Sequence, residues 1–192
     1  MSLSVKDMTL VSMFAALTAV GAYLKIPVPY VPFTLQWLMI ILAGILLGSR
    51  LALWSQVTYL AVGLAGIPVF TNGGGPGYVL QPTFGYLIGF AVAAYLIGKI
   101  VEKTGVESTI KLLLANLAGL GVVYAAGATY LYLITNYVLH IELTYIKALW
   151  FGAVICLPGD LTLSIVGATI CRKVVHRISP ESKAKGDDVK LG

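Results

Sequence analysis

The sequence predicts an all-α integral membrane protein, folded as a compact bundle of six transmembrane helices with both termini in the cytoplasm. Of its 192 residues, 58% are hydrophobic and 11% are charged, whereas about a quarter of the residues in a soluble domain are charged. The apolar runs are continuous, while the strands of a membrane barrel would alternate apolar and polar residues. Because one helical crossing takes about 20 residues, the chain has room for roughly five to seven spans and no separate soluble domain.

The first four helices follow from the apolar runs and the residues that interrupt them. The first is expected near residues 8–24, before a segment whose three prolines remove backbone donors. The second and third, near 35–48 and 51–66, are separated only by the tripeptide at residues 48–50. A glycine-rich segment and a proline precede the fourth helix, near 82–101.

The last two helices are expected near residues 109–137 and 148–173. The residues after Ile178 are polar and rich in lysine and aspartate. Residues 1–178 are therefore predicted to form one six-helix domain, and residues 179–192 a polar, disordered cytoplasmic tail.

The lysines and arginines predict the orientation of the bundle. With six spans, one side holds eleven of the thirteen basic residues, and the other side keeps Lys25 and Lys147. The positive-inside rule assigns the richer side to the cytoplasm, so the loops after the first, third and fifth helices face outside. Because the basic residues border apolar spans and do not cluster on a polar face, nucleic acid is not expected as a partner.

Asp160 is the leading candidate for the functional site. It is the only formal charge in the 24-residue stretch from Ala148 to Cys171. A carboxylate at the centre of a membrane helix costs about 2.5–3.5 kcal/mol on insertion scales, so such residues usually face a cavity or a substrate path. Pro158 and Gly159 come directly before it and predict a broken helix there. On the plainer interpretation, Asp160 only pairs with tyrosine or asparagine side chains inside the bundle.

Two outer loops carry the other candidate binding residues. The loop at residues 26–35 is stiffened by its prolines, and the loop at 66–81 is rich in glycine but lacks the Gly-Lys-Ser/Thr ending of a phosphate loop. Neutral amides and hydroxyls can orient a small ligand in a mostly apolar pocket. The candidates at the loops and nearby helices are Gln36, Trp37, Asn72, Gln81, Thr83, Tyr86 and Tyr124. Alternatively, the loops are a rigid connector and a flexible linker or lid, and the polar residues only cap helices.

Several kinds of chemistry have no residues to support them. His140 and His176 are the only histidines, and both lie at predicted membrane borders, so neither a Ser-His dyad nor a multi-histidine metal site is expected. No Walker A sequence occurs, so the chain is not expected to hydrolyse ATP. We therefore expect a transport protein and not an enzyme, without a metal or a cofactor of its own.

Four segments of the chain form a recognisable set: VPFTLQ at residues 31–36, YLAVGLAGIPVF at 59–70, PTFGYLIGF at 82–90 and LPGD at 157–160. Together they resemble the BioY family, the biotin-specific substrate-capture (S) components of energy-coupling-factor (ECF) transporters. The resemblance implies a protein of the bacterial plasma membrane that captures biotin from outside. It would deliver biotin together with a transmembrane coupling (T) protein and two cytoplasmic ATPases, which use the ATP.

The resemblance also assigns roles to particular residues. Asp160 would accept the N–H donors of the ureido ring of biotin. The remaining polar contacts would come from Asn72, Gln81 or Thr83, and the apolar contacts from Trp37, Phe70 and Tyr86. Ala15 and Ala19 form a small-xxx-small stripe suited to close helix contact. Internal packing is its ordinary role, and the resemblance implies a contact with the coupling protein instead.

Two positions depart from the family pattern. The family commonly has a lysine three residues after Pro-Gly-Asp, where this chain has Leu163, and a glycine before Pro-Thr, where it has Gln81. Asp160 is thus expected to lack an internal cation, and Gln81 could supply a replacement polar contact. Two alternatives stay open: an ion-coupled secondary transporter with Asp160 as the relay, although no inverted repeat is evident, and an S component for another vitamin.

Overall fold

The computed structural model describes residues 4–178, in which nearly all regular structure is helical. The α-helices are α1 (Val5–Tyr23), α2 (Gln36–Leu47), α3 (Ser49–Leu64), α4 (Phe84–Thr104), α5 (Thr109–Tyr137), α6 (Tyr145–Leu149) and α7 (Leu157–Ile178). Two strands, β1 (Lys25–Ile26) and β2 (Phe33–Thr34), form a short antiparallel pair. The tail predicted at residues 179–192 lies outside the described residues.

Four helical stretches are long and apolar enough to cross a membrane: α1, α4, α5 and the stretch Tyr145–Arg177. The predicted class, a helical membrane protein, is confirmed. Of the remaining helices, α2 has 12 residues and α3 has 16, fewer than the roughly 20 that a full crossing takes. The count of six crossings and the cytoplasmic termini therefore stay predictions.

Hydrogen bonds at the amino-terminal ends of α1 and α3 explain where these helices begin. Ser4 and Asp7 form a capping box in which each side chain accepts a hydrogen bond from the other residue's backbone N–H. At the start of α3, the backbone N–H and the hydroxyl of Ser49 both donate to Oε1 of Glu102, at 2.7 Å each. Gly48 connects α2 to α3 at φ +78°, a left-handed conformation that favours glycine. The carboxylate of Glu102 thus binds the amino-terminal end of α3 and ties it to α4.

α4 is the central helix of the bundle and packs against α5, α3 and α2. The fully buried side chains of α2, α4 and α5 include Ile40, Ile41, Ile97 and Leu112. α1 packs on α3 and α2, and α7 packs on α2 and α5. The loops that follow α1 and α3 consequently lie at the same end of the bundle as the amino-terminal ends of α2 and α4.

The last helical stretch is interrupted close to Asp160. α6 is followed by a π-helical turn, Trp150–Val154, in which the N–H of Ile155 donates to the carbonyl of Trp150 at 3.1 Å. α7 then begins at Leu157, with Pro158 in its first turn, where proline's missing N–H has no helical partner to lose. The sequence predicted a break beside the carboxylate, but it did not predict the π-helical turn or the β1–β2 pair.

Candidate functional site

A cavity opens between the amino-terminal ends of α2, α4 and α7, the middle of α5 and the loops that follow α1 and α3. Its empty volume, including the open mouth, is about 580 Å³. The lining residues are Val31, Pro32, Phe33, Thr34, Gln36, Trp37, Thr71, Tyr78, Thr83, Tyr86, Leu87, Phe90, Leu120, Val123, Tyr124, Gly152, Cys156 and Asp160. The lining is mostly apolar or aromatic, with a few polar groups among them.

Asp160 is the only acidic residue of the lining, and no lysine, arginine or histidine lines the cavity. Its side chain is 8% exposed. The hydroxyl of Tyr124 donates to Oδ2 of Asp160 at 2.6 Å, a short, charge-assisted hydrogen bond. The carboxylate is therefore held by one neutral donor, and its burial is not compensated by a cation from the lining.

A chain of hydrogen bonds fixes Trp37 beside the carboxylate. The indole Nε1 donates to Oγ of Ser164 at 2.9 Å, and the same hydroxyl donates to the backbone carbonyl of Asp160 at 2.7 Å. Nδ2 of Asn116 donates to the carbonyl of Ser164 at 3.0 Å. Because its N–H is already bonded, Trp37 offers a ligand its ring and not a donor.

Gln36 joins the two loops at the mouth of the cavity. Its Oε1 accepts from the hydroxyls of Thr34, at 3.2 Å, and Thr71, at 3.4 Å. Its Nε2 donates to the hydroxyl of Tyr59 at 3.0 Å, and Tyr59 donates in turn to the carbonyl of Val69 at 3.0 Å. The amide of Gln36 is thus occupied within the protein and holds the loop after α3 against β2.

Tyr86 contributes its ring to the lining, while its hydroxyl is bonded elsewhere. The hydroxyl donates to the carbonyl of Gly152, in the π-helical turn, at 2.9 Å. The ring occupies the space that a Cβ at Gly127 would need, and its hydroxyl occupies that space at Gly152. Tyr86 therefore positions the π-helical turn against α4 and α5, and this contact requires glycine on both neighbouring segments.

The structure places three of the predicted binding residues outside the lining. Asn72 and Gln81 are exposed, and Oδ1 of Asn72 accepts a hydrogen bond from Nζ of Lys25 at 3.4 Å. Phe70 is fully buried and packs against Tyr59 and Tyr78, with ring centroids 5.3 and 4.5 Å apart. Phe70 forms the apolar centre of the loop after α3, in which Thr71 faces the cavity and Asn72 faces outward.

The other predicted residues line the same cavity: Gln36, Trp37, Thr83, Tyr86, Tyr124 and Asp160. The sequence interpretation missed Thr71, Tyr78, Cys156 and Gly152, among others. Cys156 and Gly152 lie four and eight residues before Asp160, so helical spacing would have placed them on its face. The aliphatic lining residues carry no sequence signal that separates them from ordinary core positions.

Metal binding has no evident site here. Within residues 4–178, no group of three or more histidine, cysteine, aspartate or glutamate side chains is placed to hold a metal ion. Cys156 and Cys171 are both buried as free thiols. The polar groups of the cavity are suited to hydrogen-bonding a small organic ligand.

Ala15 and Ala19, the α1 residues predicted to contact a partner, lie mostly inside the protein. Ala15 is 8% exposed and belongs to the buried core, and Ala19 is partly buried against it. The side of α1 that faces outward instead presents Ser12 and Ala16, which are exposed and have the same spacing of four. In this structure, Ala15 is therefore an internal packing residue, and the outward small-residue pair lies three positions earlier.

The chain resembles known proteins over nearly its whole length. Residues 1–180 match the BioY family. A probable biotin transporter BioY of Lysinibacillus sphaericus is 44% identical over 171 residues, covering 89% of this chain and 87% of the relative. The biotin transporter BioY of Thermotoga maritima is 35% identical over 167 residues, covering 84% of this chain and 90% of the relative.

The fold is also similar to a solved structure. The crystal structure of an S-component for biotin from an ECF-type ABC transporter superposes with a TM-score of 0.78 and 28% sequence identity. The match covers 91% of this chain and 95% of that chain.

Proposed function

The chain belongs to the BioY family, and from this premise we propose that it is the biotin-binding membrane subunit of an ECF-type uptake system. It captures biotin at the outer face of the cell membrane. Its relatives carry the name of biotin transporters, and the similar solved structure is an S-component for biotin. This chain is accordingly a transporter subunit and not an enzyme.

The observation that carries the proposal is the buried carboxylate of Asp160 in a cavity without a cationic lining residue. A buried carboxylate is stable only when donors compensate its charge. Tyr124 supplies one donor to the carboxylate, and the ureido ring of biotin would supply two further N–H groups. Trp37, Phe90 and Leu120, which line the cavity, would contact its apolar rings.

The wider system follows from the same proposal. The chain has no nucleotide-binding motif, so energy for uptake comes from partner subunits: a transmembrane coupling protein and two cytoplasmic ATPases. No cofactor is required in the chain itself, and biotin is the transported ligand. The outward face of α1, which includes Ala16, is the surface we assign to the coupling protein.

The direct test is calorimetric titration of the purified protein in detergent with biotin. We expect saturable binding that thiamin and riboflavin do not compete for. Asp160→Asn should lower the affinity for biotin by about 100-fold, because a neutral amide accepts the ureido N–H groups less strongly. Glu142→Gln is the matched control, since Glu142 is exposed and lies in a loop outside the cavity.

Failure of biotin to bind the folded wild-type protein would reject the proposal. Binding of thiamin or riboflavin instead would show that the chain is an S component for another vitamin. Uptake by vesicles that lack the ATPases, lost when the proton gradient is collapsed, would favour the ion-coupled alternative with Asp160 as the relay.

A further inference from the structure

The charges around the cavity constrain how an acidic ligand lies in it. Asp160 is the only charged residue of the lining, and it is negative. Biotin, which enters here through the proposed function, has a neutral bicyclic ureido ring system and an aliphatic chain that ends in a carboxylate. Two carboxylates close together in a site of low polarity repel strongly. The ligand carboxylate must therefore lie far from Asp160 and find its cation outside the lining.

Lys25 is a cation at the rim of the cavity. It pairs with Thr34 across the β1–β2 ladder, and directly opposed residues of an antiparallel pair have neighbouring side chains. Its Nζ donates to the carbonyl of Thr71 at 2.7 Å. Thr34 and Thr71 both line the cavity. Lys25 is thus next to two lining residues: Thr34, its partner in the strand pair, and Thr71, whose carbonyl accepts a hydrogen bond from its ammonium group.

The bonding of Lys25 leaves its charge available. Its two partners, the carbonyl of Thr71 and Oδ1 of Asn72, are neutral oxygens. An ammonium group has three N–H donors, so one donor remains for a further acceptor. Lys147, the other lysine predicted to face outside, lies in a separate groove with Glu142.

We propose that Lys25 binds the ligand carboxylate at the rim, so that the ligand lies with its ureido ring toward Asp160 and its carboxylate toward the outer loops. Lys25 then recognises the carboxylate end of the ligand by opposite charge, and Asp160 recognises the ureido end by accepting its N–H donors. In binding the carboxylate, Lys25 would also hold the loop after α3, through Thr71 and Asn72, over the occupied cavity. Selection against ligands without a terminal anion follows from this arrangement.

The experiment compares two ligands on matched lysine variants. Affinities for biotin and for its neutral primary amide are measured by calorimetry on wild type, Lys25→Gln, Lys25→Arg and the control Lys147→Gln. Loss of a charge-assisted hydrogen bond predicts that Lys25→Gln weakens biotin binding on the order of tenfold. The same variant should bind the neutral amide as wild type does, while Lys25→Arg and Lys147→Gln should keep wild-type affinity for biotin.

The two-ligand design separates carboxylate binding from a role that is only structural. If Lys25→Gln lowers the affinities for biotin and the amide equally, Lys25 is a loop contact and the inference is overturned. If neither affinity changes, it is overturned as well. Both outcomes leave the proposed function intact, because that proposal fails only when the wild-type protein does not bind biotin.

Discussion

The hydroxyl of Tyr124 on α5 donates a 2.6 Å hydrogen bond to Oδ2 of Asp160 on α7. This contact joins two helices at the cavity wall and orients the only charged group in the lining. No cation lines the cavity, so this contact to the carboxylate comes from a neutral donor. The carboxylate is thereby held in one orientation for a ligand.

Tyr124→Phe removes this donor while keeping the ring. A hydrogen bond to a charged group contributes about 1.5–3 kcal/mol, so we expect biotin affinity to fall by about tenfold or more. Titration calorimetry measures the change. Tyr137→Phe serves as the control, because Tyr137 is 68% exposed at the end of the same helix. Unchanged affinity in Tyr124→Phe would show that Asp160 is oriented by other contacts.

The contact between Tyr86 and the π-helical turn predicts that alanine lowers stability at Gly152 but not at Gly121. Gly152→Ala places a methyl group where the Tyr86 hydroxyl lies, whereas nothing lies within 4 Å of a Cβ at Gly121. We expect Gly152→Ala to lower stability by about 1–3 kcal/mol through overpacking, and Gly121→Ala to be neutral or slightly stabilising. Thermal unfolding in detergent compares the two variants. Equal midpoints would contradict the assigned position of the turn.

Two glutamines near the mouth of the cavity differ in their contacts: Gln36 is bonded within the protein, and Gln81 is exposed. Gln36 bonds to Thr34, Thr71 and Tyr59, whereas Gln81 is exposed and outside the lining. Gln36→Ala should release the loop after α3 and raise the rate of biotin dissociation by about tenfold, since several hydrogen bonds of about 1 kcal/mol are lost together. Biotin should dissociate from the Gln81→Ala variant at the wild-type rate. Stopped-flow displacement of a fluorescent biotin analogue measures both rates, and a larger effect at Gln81 would reverse the assignment.

The helices could be predicted from the sequence because apolar runs and the residues between them carry local information. The fifth helix was expected near residues 109–137 and spans Thr109–Tyr137, after a polar segment at residues 102–108. Asp160 could be identified because a single charge in a long apolar stretch is costly wherever the helix lies.

The details of the site depend on tertiary contacts that no local pattern contains. Tyr86 was expected to offer its hydroxyl to a ligand, but Gly152, 66 residues later, accepts that hydrogen bond. Phe70 was expected to contact the ligand, but it packs against Tyr59 and Tyr78 beneath the loop. Burial of this ring sets the direction of the loop, and Asn72 faces outward as a result.

Ala15 and Ala16 on α1 differ in exposure, so a bulky side chain should lower stability at one position and not at the other. Ala15 is packed in the core, so Ala15→Phe should lower stability by about 1–3 kcal/mol through overpacking. Ala16 is exposed, so Ala16→Phe should leave the unfolding midpoint and biotin affinity unchanged. If the outward face of α1 meets the coupling protein, Ala16→Phe should reduce co-purification with it severalfold by preventing close helix contact. Normal assembly of Ala16→Phe would place the partner surface elsewhere.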